Sequence, residues 1–100
     1  MIVGILQVEL KIDDATSLKD KRRIVRSVKD KLHHDHQVSV AEVDALDDHN
    51  VAILGITMAS NDVKHCQSVL EGIVNQLRRH QECILTDHAQ EILTGQKPNR

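Results

Sequence analysis

Three groups of side chains in this chain have the types and spacing to do chemistry. Glu42 and Asp44 stand two apart in a strand-like stretch, with Asp47, Asp48 and His49 just beyond. Residues two apart on a strand share a face, and clustered carboxylates there could hold Mg²⁺ or work as an acid/base pair. The same residues suit an ordinary solvated hairpin, and no recognised metal-loop spacing is met, so no metal is expected. His33, His34 and His36 surround Asp35. That tract has metal-ligand types, but it lies at a helix exit, where imidazoles meet free carbonyls. Adventitious nickel or zinc suits it better than a resident ion.

The third group is basic. From Lys19 to Lys31 the chain holds seven of its 13 Lys and Arg residues, against only Asp20 and Asp30. At 100° per residue Lys19, Arg22, Arg23, Arg26, Lys29 and His33 fall on one side of a helix, beside its apolar stripe. Such a stripe reads as solvated surface, as a dock for an acidic protein, or as a ridge for a phosphate backbone. Lys19, Arg22, Arg23, Arg26 and Lys29 are the candidate binding residues for nucleic acid or a partner.

The elements that must position these groups follow from periodicity. Ile2 to Ile12 alternates with period two, burying Leu6, Val8, Leu10 and Ile12. Thr16 or Ser17 caps a first helix over Leu18–His33, with Asp20 in a variant of the capping box. Its stripe is Leu18, Ile24, Val25, Val28 and Leu32; Lys21 projects into it and must snorkel or pair. A second strand covers Val38–Asp44, where a phase shift predicts a bulge. After a turn over Asp47–Asn50 comes a third strand, Val51–Ser60. Ser60, Asn61 or Asp62 caps a second helix carrying Cys66, Val69, Leu70, Ile73, Val74 and Leu77 inward. A last strand spans Cys83–Leu93, and the tail over 95–100 is expected to fray.

This order, βαββαβ, predicts an α+β, ferredoxin-like domain over residues 1–94: a four-stranded antiparallel sheet, first and third strands central, two helices on one face. The other face is left open with Val3, Ile5 and Ile53 on it. An apolar patch there predicts a partner or a homo-oligomer.

Composition excludes more than it assigns. The chain has 100 residues, a formal charge of −2 and no Phe, Tyr or Trp. Without Phe, Tyr or Trp the core must be built of branched aliphatics, and the usual stacking of bases on a sheet is excluded, so contact with RNA is expected to be to phosphate and shape. Gly4, Gly55, Gly72 and Gly95 are too scattered to cradle a nucleotide, and neither CxxC nor a Ser/His/Asp order is present. No small-molecule cofactor and no membrane segment are expected. Cys66 and Cys83 fit reduced thiols, which with the absent leader predicts a cytoplasmic protein.

The runs Met1-Ile-Val-Gly-Ile-Leu-Gln-Val-Glu-Leu, Ser17-Leu-Lys-Asp-Lys-Arg-Arg and Val38-Ser-Val-Ala-Glu-Val-Asp resemble the YlxP-like family of small bacterial proteins. The likeness runs from Met1 to about Leu93. It implies a ferredoxin-like fold and no established activity; genes of such proteins often neighbour those of a translation initiation factor and a ribosome-binding factor. His49 stands where relatives commonly have an aromatic, and His33-His34-Asp35-His36 looks particular to this chain. The expectation is a non-catalytic module near RNA or a ribosomal component. The alternatives are an interaction module using the open sheet face and, more remotely, a metal-dependent enzyme using Glu42, Asp44 and a histidine.

Overall fold

The computed structural model describes residues 1–96 and 98. Its elements are β1 (Ile2–Lys11), α1 (Leu18–Asp35), β2 (Ser39–Asp44), β3 (Val51–Ser60), α2 (Val63–Arg78) and β4 (Ile84–Thr94). The four strands form one sheet in the order β2-β3-β1-β4, every pairing antiparallel. This is the ferredoxin-like arrangement, with β1 and β3 central. Of the tail expected over 95–100, Gly95 N–H donates to the Met1 carbonyl at 2.7 Å, while Lys97, Asn99 and Arg100 lie outside the described residues.

The alternation of β1 puts Leu6, Val8, Leu10 and Ile12 under the helices, where each is at most 1% exposed. In register beside them lie Ala52, Leu54, Ile56 and Met58 of β3. The helices close this layer with Ile24, Val25, Val28 and Leu32 from α1 and Cys66, Leu70, Ile73, Val74 and Leu77 from α2. Val69, expected in the core, is only half-buried at its margin. Gly4 is where α2 comes closest to the sheet. A Cβ placed there would stand 2.5 Å from Cys66 Sγ and 3.2 Å from Leu70 Cδ1, so only glycine admits the helix at that distance.

Both helices start on side-chain caps. Ser17 Oγ accepts from Asp20 N–H at 3.1 Å, and Asp20 Oδ2 accepts from Thr16 N–H at 3.3 Å. That is the reciprocal logic of a capping box shifted back one residue. At α2, Asp62 Oδ2 accepts from His65 N–H. The β2 bulge falls at Val43, between the pairs Glu42↔Leu54 and Asp44↔Ile53.

Candidate nucleic-acid interface and its surroundings

The N-terminal half of α1 is tied to the β2–β3 hairpin by a buried lysine. Lys21 is 1% exposed; its Nζ donates to the Ala45 carbonyl at 2.7 Å and lies 2.7 Å from Glu42 Oε2. It therefore pairs rather than snorkels. The charge contact with Lys21 is all that Glu42 Oε2 has, because no hydrogen bond of good direction reaches that buried oxygen. Ala45 sits at φ 55, a left-handed conformation costly for a residue with a Cβ. Its carbonyl is held twice, by Lys21 and by Asp48 N–H at 3.1 Å.

The bulge changes the reading of the hairpin carboxylates. Glu42 lies opposite Leu54, on the helix side, whereas Asp44 lies opposite Ile53, on the open side. The two acids therefore do not share a face, because one extra residue in a strand inverts its alternation. Asp44 Oδ1 instead accepts from Ala45 N–H, and Asp48 Oδ1 from Asn50 N–H. The Asn50 side chain in turn donates to the carbonyls of Ile12 and Ala15. These are turn-forming contacts.

On the solvent side of α1 the basic residues divide. Arg23 turns toward the loop between α2 and β4: its Nη1 meets Glu82 Oε2 and its Nη2 meets Asp20 Oδ1, each at 3.2 Å. Those hydrogen bonds to Asp20 and Glu82 hold the guanidinium's pKa above its ordinary value. Lys19, Arg22, Arg26 and Lys29 behave otherwise. Among the described residues none of the four lies within ion-pair distance of a carboxylate. With His33 they occupy an arc of about 80° and a length of about 21 Å at helical rotation and rise. Lys29 is half-buried and the other four are exposed.

This ridge borders a groove of about 390 Å³ between α1 and the outer edge of β2, lined by Arg22, Val25, Arg26, Lys29, His33 and Glu42 among others. A second hollow, around Thr16, Ser17, Lys19, Arg22 and Arg26, continues it toward the start of the helix. Lys21 neutralises Glu42 from beneath, which leaves Asp30 as the other acid along the groove.

The histidine tract is a strap between the helices. His34 Nδ1 meets Asp35 Oδ1 at 3.0 Å, Gln76 Nε2 donates to Asp35 Oδ2, and His36 Nε2 donates to Gln76 Oε1, both at 2.8 Å. The hydrogen bond from His34, aided by that from Gln76, lowers the Asp35 pKa below its ordinary 3.8. Among the described residues no three His, Cys, Asp or Glu side chains converge as metal ligands would. Cys66 and Cys83 are both buried and unpaired. Burial, then the charge of Glu82, pushes the Cys83 thiol up to about 11, far from the activated thiolate range.

Of the open-face residues, Val3 and Ile5 are neighbours on β1, and Val3 lies opposite Ala59 and Leu93. Ile53 is not with them. It sits opposite Glu9, four residues along β3 from the partner of Ile5, about 13 Å away at strand rise. Between the two rows Gly55 carries the Val43 side chain, whose Cγ1 is 2.9 Å from where a glycine Cβ would be. Glu9, Asp87 and Glu91 stand on this same face, by register. No helix among the described residues is long and apolar enough to cross a membrane.

Lys19, Arg22, Arg23, Arg26 and Lys29, the basic stripe expected from the sequence, all lie on α1. The sequence pattern does not show their partners. It missed that Arg23 belongs to Glu82 and that Lys21 belongs to Glu42. Only the inward projection of Lys21 on the helical wheel hinted at a buried pair.

A family model described as a protein of unknown function, DUF503, matches residues 3–90. No curated protein matches the chain. Among solved structures it is similar to a de novo designed protein with a ferredoxin fold, determined by solution NMR. The TM-score is 0.54 at 17% identity, covering 100% of this chain and 92% of the other.

Proposed function

The chain belongs to the DUF503 family of unknown function, and we propose that it is a non-catalytic module that binds RNA through the phosphate backbone. The observation carrying this reading is the unpaired set Lys19, Arg22, Arg26 and Lys29 on one arc of α1. In a chain of net charge −2, four cations with no carboxylate partner among the described residues share one helix arc beside a groove, which concentrates positive potential there. Backbone contact needs charge and no aromatic stacking, which fits a chain without Phe, Tyr or Trp. The resemblance to the YlxP-like family supports a ribosomal RNA or ribosomal component as partner, in the cytoplasm of a bacterium. Fluorescence anisotropy with purified ribosomal RNA at low salt tests it. Binding by the native chain, lost in the R22E/R26E variant, is the expected result; no binding at low salt overturns it.

A second reading rests on the open sheet face. Val3, Ala59 and the 42% exposed Leu93 make an apolar row that a second copy could cover, giving a homo-oligomer. Sedimentation is the test: a strict monomer at high concentration removes this reading.

A further inference from the structure

We infer that the RNA element taken by the α1 ridge is base-paired rather than single-stranded, an inference that rests on the RNA reading above. Single strands are held by stacking their exposed bases, and each stacked base contributes roughly 1–3 kcal/mol. The strong stackers Phe, Tyr and Trp are absent from this chain, and the ridge offers bases only His33 and its arginines. The open sheet face, where a strand of RNA could lie flat, carries Glu9, Asp87 and Glu91. Those carboxylates repel phosphate. A single strand would therefore lose its freedom on the ridge with little stacking to offset the loss.

A duplex has neither difficulty. Its bases are already stacked on one another, and its phosphates form a rigid array with about twice the linear charge of a single strand. The ridge is itself rigid. It lies on a helix capped by Ser17, packed through Ile24, Val25, Val28 and Leu32, and pinned at Lys21. Two preordered surfaces meet with little entropy to lose. The arc from Lys19 to His33 contains no Asn, Gln, Ser or Thr side chain, Ser27 falling outside it. Its cations reach phosphate, and the deep, narrow major groove of paired RNA keeps arginine from base edges, so contact with a duplex is to backbone and shape.

The test compares a 20-base-pair RNA duplex with a 20-nucleotide oligo-uridine strand across a salt series. With four cations engaged, the duplex should bind at least about tenfold tighter at low salt, with a log–log salt slope of roughly −3 to −4. The R22A/R26A variant should make that slope shallower by about two while its circular dichroism stays native. Equal or tighter binding of oligo-uridine overturns the paired-RNA inference and leaves the RNA reading standing. Failure of both probes to bind overturns the two together. Duplex binding that R22A/R26A leaves unchanged moves the site off α1 and overturns the inference as well.

Discussion

The two helices lie side by side on one sheet and bury stripes of similar spacing, yet they differ in what they leave outside and in one residue inside. α2 buries Cys66, Leu70, Ile73, Val74 and Leu77, all apolar. α1 buries Ile24, Val25, Val28 and Leu32 behind Lys21, a charged residue near the position that Cys66 holds in α2. Outside, α2 carries only Lys64 and Arg78 as cations, whereas α1 carries six beyond Lys21. Helix-on-sheet packing explains what the two share. It does not require the excess charge of α1 or its buried lysine. Where two elements meet the same structural demand, what one has beyond it points to function.

The largest stability effect is expected where α1 departs from α2 inside. Lys21→Ala strands the Glu42 carboxylate and frees the Ala45 carbonyl, and should cost about 3–5 kcal/mol in chemical denaturation. Replacing Lys21 and Glu42 together by Met and Leu should recover most of that loss, since an apolar pair of similar volume often equals a buried ion pair. If the single change proves neutral, the hairpin is held by something other than Lys21. On α2 the matching lesion is Ile73→Ala, a plain cavity at a 0% exposed site, expected to cost roughly 2–5 kcal/mol. A smaller effect should follow Gly4→Ala, which pushes a methyl onto Cys66 Sγ and should cost about 1–3 kcal/mol. Adding Cys66→Ala should relieve it, and a double-mutant cycle reads the coupling.

The strap between the two helices offers a pH test. Because the folded Asp35 pKa is depressed by His34 and Gln76, its contribution is present above the unfolded value. It is lost as pH falls through the lower folded value. Stability profiles between neutral and acid pH should therefore fall less steeply in Asp35→Asn than in the native chain. Identical profiles would mean that the strap carries no linkage.

Much of this was legible beforehand. Period-two and helical spacing located every element, because burial of one face dictates both patterns. The sequence predicts a bulge in β2 from the phase shift between Val40 and Ala41; the structure has one further along, at Val43. What stayed hidden were contacts between residues distant in sequence: Arg23 with Glu82, Lys21 with Glu42, and the approach of Cys66 to Gly4. No local pattern encodes such partners. That is why the candidate ridge, read as including Arg23 in the sequence, loses that residue in the structure.

The central claim is that the excess charge of α1 is a binding surface and not solvated decoration. Two charge reversals test it directly, R22E/R26E on α1 and K64E/R78E on α2, which change net charge equally and sit at exposed positions. Each variant should fold with native stability, to within about 0.5 kcal/mol. Affinity for ribosomal RNA at low salt should then be measured for both. The account predicts that R22E/R26E abolishes binding and that K64E/R78E leaves it within a few-fold of native. Equal losses in the two variants would contradict it, because the effect would then belong to overall charge and not to the ridge.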